Sequence, residues 1–286
     1  MTISSPKYLQ EDNQSEECQK LLHLTKRRMM CWIIYLQLSR FLQGEIAFQQ
    51  QFQAEYSDII LVTTPRSRTI WLKSLLFALV NRVKHHVFEP NHPLLVNNPH
   101  VIVPFLEHEL YVDGRVPDFS TFTSPRLLAT HMPFSSLPNS VKDSKIKHVY
   151  LCRNRRDTFI SICHFKNNLL FHHNDTNSFE EMFDIFCEGV SLYDPFWNHV
   201  LDYWKKNHRK AYQNTFVNEE NCDVEDEINL EVNTNGKFST GEAYNLFYRR
   251  GEIGYWKIFF TTKLSDKLNH TIEEMFQEDG LKFSYV

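Results

Sequence analysis

The chain has 286 residues, 42% of them apolar, with 8 glycines and a formal charge of −4, enough material for one α/β core of ordinary size. This balance excludes a low-complexity chain, and it gives no global field to draw in nucleic acid or an anionic membrane, so any anion has to be held by a local cluster. Six cysteines without a CxxC pair exclude a zinc ribbon or disulfide framework and point to a reducing, intracellular setting.

Residues 1–20 are polar and aperiodic and are expected to form a mobile tail. Met29 to Leu36 is apolar but far below the roughly 20 residues of a membrane span, so it reads as a buried or amphipathic segment. Glu45 to Tyr56 has helix-forming composition. Ile59-Ile60-Leu61-Val62 is wholly apolar and mostly β-branched, the pattern of a buried parallel strand. After a loop from Thr63 to Arg68, the spacing of Leu72, Leu75, Leu76, Leu79 and Val80 predicts an amphipathic helix.

Strand-length apolar runs recur at Leu127 to Thr130 and at Val149 to Cys152, the second followed by a basic turn and a helix from about Asp157. Phe179, Met182, Phe183 and Phe186 repeat at helical spacing, and Pro195 opens another helix over Phe196 to Lys205. From Lys206 to Glu231 the composition turns to Asn, Glu and Asp, which reads as a loop or linker over 207–231. Leu264, Leu268, Ile272 and Phe276, spaced by four, mark a last helix. Strand, loop and helix alternate, so the expected fold is α/β, a central parallel sheet flanked by helices in a single domain over 1–286. Ligands in such sheets sit outside the carboxyl ends of the strands.

Four stretches carry candidate chemistry. Thr63 to Lys73 sets hydroxyls and cations where a helix begins, and the free amides and positive dipole of a helix start suit a phosphate. The Walker pattern is absent, since no glycine lies between Gly44 and Gly114, which disfavours a nucleoside triphosphatase. A polar turn whose Ser67 and Thr69 merely cap the helix is the bland alternative. Arg153 to Ser161 follows the strand ending at Cys152; an arginine there can clamp a phosphate and Ser161 can add a hydroxyl, unless this is only a solvated basic turn. Arg249-Arg250-Gly251 to Lys257 is a basic loop with two glycines that could close over an anion, or a helix stop and surface turn. His131 follows a strand end, where a neutral imidazole can take a hydroxyl proton. His85-His86 and His172-His173 read as surface pairs, and no metal site is expected.

Together these stretches resemble the soluble sulfotransferases, in particular the plant flavonol- and steroid-type branch. The family pattern PKSGTTWLK looks like Pro65 to Lys73, YLCRNPKDTFVS like Tyr150 to Ser161, FFRKGxxGDWK like Phe247 to Lys257, and ATHxPF like Ala129 to Phe134; Phe186 to Tyr193 also resembles a plant-branch stretch. The likeness runs from about Tyr35 to Phe283. It implies a P-loop-like nucleotide-binding fold and transfer of a sulfuryl group from 3′-phosphoadenosine 5′-phosphosulfate (PAPS) to a small hydroxylated acceptor such as a flavonoid or steroid. No metal, nucleic acid or membrane partner is implied, and the location is cytoplasmic. Carried over by position, Pro65, Arg66, Ser67, Arg68, Thr69 and Ile70 would cradle the 5′-phosphosulfate. Arg153, Ser161, Arg249, Arg250 and Gly251 would hold the 3′-phosphate, and His131 would be the general base.

The chain departs from the pattern in its loop. Arg66 replaces the family lysine thought to contact the bridging oxygen, and as the second catalytic candidate it keeps the charge but not the compact ammonium. Arg68 replaces the glycine, either obstructing the anion or adding a contact, and Ile70 lacks a hydroxyl. A FLKYEEM-like stretch, whose tyrosine contributes to nucleotide binding in relatives, is expected to be missing after Lys206, with loss of a core strand. These departures leave open a relative that binds the nucleotide with weak or no turnover.

Overall fold

A computed structural model describes residues 32–86, 89–170, 178–191, 193, 195–209, 214–218, 230–237, 243–248 and 252–277. The expected tail over 1–20 and the loop residues Arg249, Arg250 and Gly251 lie outside them.

The apolar runs form strands β1 (Ile59–Thr63), β2 (Leu127–Thr130) and β3 (Lys147–Cys152). With β4 (Asn214–Asn218) they make, among the described residues, a sheet in the order β2-β1-β3-β4 whose pairings are all parallel. Ile60 pairs with Leu128, and Val62 with Tyr150. Because strand side chains alternate, Ile60, Val62, Leu128, Tyr150 and Cys152 pack into one core, and Leu61, Leu127, Ala129 and Leu151 into a second on the opposite face. Sequence order reverses direction between β1 and β3, so the crevice at their carboxyl ends is the switch point where such sheets bind ligands.

Around the sheet run α1 (Trp32–Gln51), α2 (Thr69–Asn81), α3 (Arg155–Leu170), α4 (Phe179–Cys187), α5 (Phe196–Arg209) and α6 (Thr262–Phe276). Ser178 and Glu181 close a capping box on α4, and the Thr261 hydroxyl accepts from Leu264 N to cap α6, whose Leu268, Ile272 and Phe276 are buried. At the amino ends of β1 and β2, Arg126 grips Asp58 with two bonds of 2.7 and 2.6 Å, both residues buried. Cys152, Cys163 and Cys187 are free thiols.

Two expectations need correction. The range 207–231 is not all loop and the sheet has not lost its strand: α5 continues to Arg209, and β4 pairs with β3 from Asn214 opposite His148 to Asn218 opposite Cys152. Among the described residues Asn-Thr-Phe-Val-Asn pairs on one side only, and a strand at a sheet edge needs no continuous apolar run. In α2, Leu75 and Leu79 are exposed, at 46% and 54%, while Thr69, Lys73 and Ser74 are buried beside Ile70, Leu72 and Leu76. The inner face of this helix is set by polar groups at the strand ends as much as by apolar packing.

Candidate active site

The loop after β1 is a tight turn. Ser67 N donates to Thr64 O at 3.3 Å, with Pro65 second and Arg66 third at a φ of 65°, as in a type II turn. Its hydroxyls bind one another, Thr63 Oγ1 to Thr69 Oγ1 at 2.7 Å and Thr64 Oγ1 to Ser67 Oγ at 2.6 Å. Neither caps α2, whose N-cap is Arg68 at a φ of 55° without a side-chain cap bond. The bland alternative, a turn whose Ser67 and Thr69 cap the helix, is therefore not the one this chain adopts. The 13-residue helix opens into the crevice with its dipole and leading amides uncapped by a side chain.

Arg153 leaves β3 beside this loop and is buried, its Nη1 donating to Arg66 O at 2.9 Å. Ser161, on α3, lies in the same place, accepting from Arg66 Nε at 3.2 Å. The third stretch is joined to the second by Asp157, whose carboxylate accepts from Gly254 N at 2.8 Å and Trp256 N at 3.0 Å. The Arg156 guanidinium lies 4.3 Å from the Trp256 ring centroid, and Arg66 Nη2 reaches Phe247 O at 3.4 Å. Three segments distant in sequence thus meet at one end of the sheet.

His131 follows β2 into the same crevice and is fixed on three sides. Its main-chain N donates to Glu107 Oε1 at 2.6 Å, its main-chain O accepts from His199 Nε2 at 2.9 Å, and its Nδ1 lies 2.7 Å from Thr63 O. A carbonyl only accepts, so Nδ1 carries the proton of the neutral ring and Nε2 keeps its lone pair. Burial first, then the neighbouring His108, pushes the His131 imidazole well below its ordinary range, which keeps the ring neutral. Phe105, His108 and Tyr193 surround it, with ring centroids 4.5, 5.7 and 5.7 Å away.

Beside these rings is a buried polar cluster of which the sequence patterns included only Lys73 and Tyr193. Glu107 sits in a π-helical turn, Leu106–Leu110, and burial pushes its carboxyl up to about 7. Burial raises Glu45 on α1 to about 8, with Glu107 adding to the rise. Lys73 Nζ bonds His100 Nδ1 at 2.8 Å and lies 3.5 Å from the Phe105 ring centroid, and burial pushes its ammonium down to about 7. His108 Nε2 bonds the Tyr193 hydroxyl. Glu107 stands in a stretch without periodicity or motif, and His199 lies on the helix expected over Phe196 to Lys205, where nothing in the sequence marked it for the site. Among the described residues no His, Cys, Asp and Glu side chains are grouped as a metal site, and no helix is long and apolar enough to cross a membrane.

Comparison with known proteins gives this geometry a family. The sulfotransferase domain model matches residues 56–222. The chain is 38% identical to cytosolic sulfotransferase 12 of Arabidopsis thaliana, over 98% of both proteins, and 36% identical to cytosolic sulfotransferase 5 of that plant, over 88% of both. This chain belongs to the plant cytosolic sulfotransferase family.

An Arabidopsis thaliana crystal structure provisionally assigned as a steroid sulphotransferase superposes with a TM-score of 0.66 at 39% identity, covering 86% of this chain and 85% of that one. Retinol dehydratase, crystallised with androsterone and the inactive cofactor PAP, shares the fold at a TM-score of 0.62 and 17% identity, covering 85% and 87%. As a member of this family, the sulfotransferase is a PAPS-dependent enzyme. Its alignment with cytosolic sulfotransferase 12 runs over 322 positions against the 286 residues of this chain, so at least 36 positions of that comparison have no residue here. The strand β4 is present all the same.

Proposed function

We propose that this sulfotransferase moves the sulfuryl group of PAPS onto the hydroxyl of a small, flat, largely apolar acceptor, a flavonoid, steroid or similar compound, with His131 as general base. The observation that carries the reading is the His131 tautomer: Nδ1 is held on Thr63 O, in the strand that leads into the phosphate loop, and Nε2 is left as the proton acceptor.

The residues present fit the co-substrate. An uncapped helix start, a buried arginine and a hydroxyl gathered at a switch point are the donors that two phosphate groups need. The co-substrate supplies an activated sulfuryl group on a phosphate leaving group. His131 Nε2 takes the acceptor hydroxyl's proton as the oxygen bonds to sulfur, and the sulfur–oxygen bond to phosphate breaks. The α2 amides, with the phosphate loop that precedes them, stabilise the charge that accumulates on the departing phosphate. Phe105 and Tyr193 beside His131 supply the apolar faces that favour an aromatic or polycyclic acceptor. Arg249, Arg250 and Gly251 are proposed as further 3′-phosphate ligands from their motif, and Phe247 and Gly254 bring the flanks of their loop to the site.

Transfer of radiolabelled sulfuryl groups to a panel of flavonols, steroids and other hydroxylated compounds tests the reading. It expects turnover with at least one class; no transfer to any would contradict it. One observation favours a second reading, binding with weak turnover: Arg66, at the position of the family's catalytic lysine, bonds Ser161 and Phe247. Calorimetry with adenosine 3′,5′-bisphosphate beside the transfer assay separates the two, since tight binding without turnover belongs to the second alone.

A further inference from the structure

Arg66 is where this chain differs most in chemistry from the motif it resembles, and its side chain has definite partners. The αL conformation at a φ of 65° is uncommon for a residue with a side chain, and is unfavourable unless its surroundings hold it. Here four groups hold it. Nε donates to Ser161 Oγ at 3.2 Å, Nη2 donates to Phe247 O at 3.4 Å, and the guanidinium lies over the Phe165 ring at 4.5 Å and the Phe247 ring at 5.9 Å. Its own carbonyl is the acceptor for Arg153 Nη1 at 2.9 Å.

Ser161 and Arg153 are the two described residues proposed above to hold the 3′-phosphate. Ser161 Oγ accepts from Arg66, so its hydroxyl hydrogen remains to be donated elsewhere. Arg66 thus links the two, its side chain bonded to Ser161 and its carbonyl to Arg153, and two guanidinium groups and a hydroxyl donor so joined suit an anion of charge near −2. The planar fork of Arg66 donates from two of its nitrogens to Ser161 and Phe247 while its carbon lies beside the Phe165 and Phe247 rings, whose centroids are 5.2 Å apart.

We propose that Arg66 is a specificity residue for the nucleotide's 3′-phosphate, gripping it together with Arg153 and Ser161, and that its charge serves nucleotide selection in place of the bridging oxygen. The proposal rests on the PAPS-dependent reading above and assigns Arg66 a role within it. The stabilisation of the leaving phosphate then falls to the α2 amides and to the hydroxyls of Ser67 and Thr69.

Calorimetry on the full chain with adenosine 3′,5′-bisphosphate and adenosine 5′-monophosphate tests it, because the two ligands differ only in the 3′-phosphate. In Arg66→Met, affinity for the bisphosphate should fall about ten- to hundred-fold, the worth of a charge-assisted bond, while monophosphate affinity stays within about three-fold. Arg66→Gln, which keeps a planar donor and removes the charge, should show the same asymmetry and serves if the methionine variant does not fold. An equal loss for both nucleotides would place Arg66 on the 5′ side and overturn the proposal, as would no loss for either. If the unaltered protein binds the bisphosphate and only the asymmetry is missing, this proposal alone fails; if it binds neither nucleotide, the PAPS-dependent reading fails with it.

Discussion

His199 Nε2 donates to the main-chain carbonyl of His131 at 2.9 Å while its Nδ1 lies 2.9 Å from the Tyr150 hydroxyl, so one buried imidazole ties α5 and β3 to the backbone of the proposed base. With Nε2 donating to a carbonyl, the neutral ring must accept from Tyr150 through Nδ1. Protonation would force that bond to reverse and leave a charge in the core. Burial accordingly pushes His199 down to about 4 from its ordinary 6.5.

The sign of the pH effect follows. Above pH 6.5 His199 is neutral folded and unfolded; between 6.5 and about 4 it takes up a proton only on unfolding, so stability is lost as pH falls through that window. The slope is about 1.4 kcal/mol per pH unit for one full proton. Glu45, Glu107 and Glu109, whose burial raises their folded values, act in the opposite direction from pH 4.5 upward. They do so in both proteins compared. The stability gap between the unaltered chain and His199→Gln, measured by urea unfolding, should therefore narrow from pH 6.5 to 4.5. A gap that stays constant would contradict this assignment.

His131→Asn removes the lone pair held at Nε2 and leaves the phosphate loop intact. Turnover should fall by about 10²–10⁴-fold, the usual worth of a general base, with bisphosphate affinity changed by less than about three-fold. Steady-state transfer and calorimetry check this; a turnover within about ten-fold of the unaltered enzyme would count against His131.

Arg68 is the second loop arginine with positive φ, at 55°, a conformation that glycine adopts without strain. Arg68→Gly should raise stability by about 1 kcal/mol and, by clearing the start of α2, tighten bisphosphate binding. Thermal unfolding and calorimetry read the two effects. A stabilised variant that binds more weakly would show the arginine to be a contact and not an obstacle.

The Asp58–Arg126 pair makes a stability prediction far from the site. Removing Asp58 leaves the buried Arg126 with only the exposed Glu55 carboxylate at 3.1 Å, so Asp58→Ala should cost about 3 kcal/mol in denaturant unfolding, the low end for a broken buried pair, whereas Asp58→Leu combined with Arg126→Met should cost less. Equal losses would show that packing, and not the stranded charge, sets the cost.

The parts of this fold written in apolar pattern were legible. Ile59 to Val62, Leu127 to Thr130 and Val149 to Cys152 lie within strands, and Leu268, Ile272 and Phe276 line the buried face of a helix. Structure carried by polar residues was not. Asn214–Asn218 offers two large apolar side chains in a stretch of Asn and Glu, and its place in the sheet comes from backbone pairing with β3. Lys73 falls outside the apolar stripe expected of α2, yet it is fully buried on His100 and Phe105, while Leu75 and Leu79 of that stripe face solvent. At the site, the motifs singled out His131, Arg153 and Ser161; His131 bonds Thr63 at the end of β1, and Arg153 and Ser161 bond Arg66 in the loop that follows. They said nothing of Glu107 and His199, whose bonds to the His131 backbone arise only once separate segments are folded together.

The proposed mechanism has three segments serving one nucleotide, and a crystal structure of the chain grown with adenosine 3′,5′-bisphosphate tests that directly. The 5′-phosphate should lie on the leading amides of α2 between Pro65 and Ile70, and the 3′-phosphate against Arg153, Ser161 and Arg66. Nucleotide density elsewhere on the molecule, with this crevice empty, would contradict it.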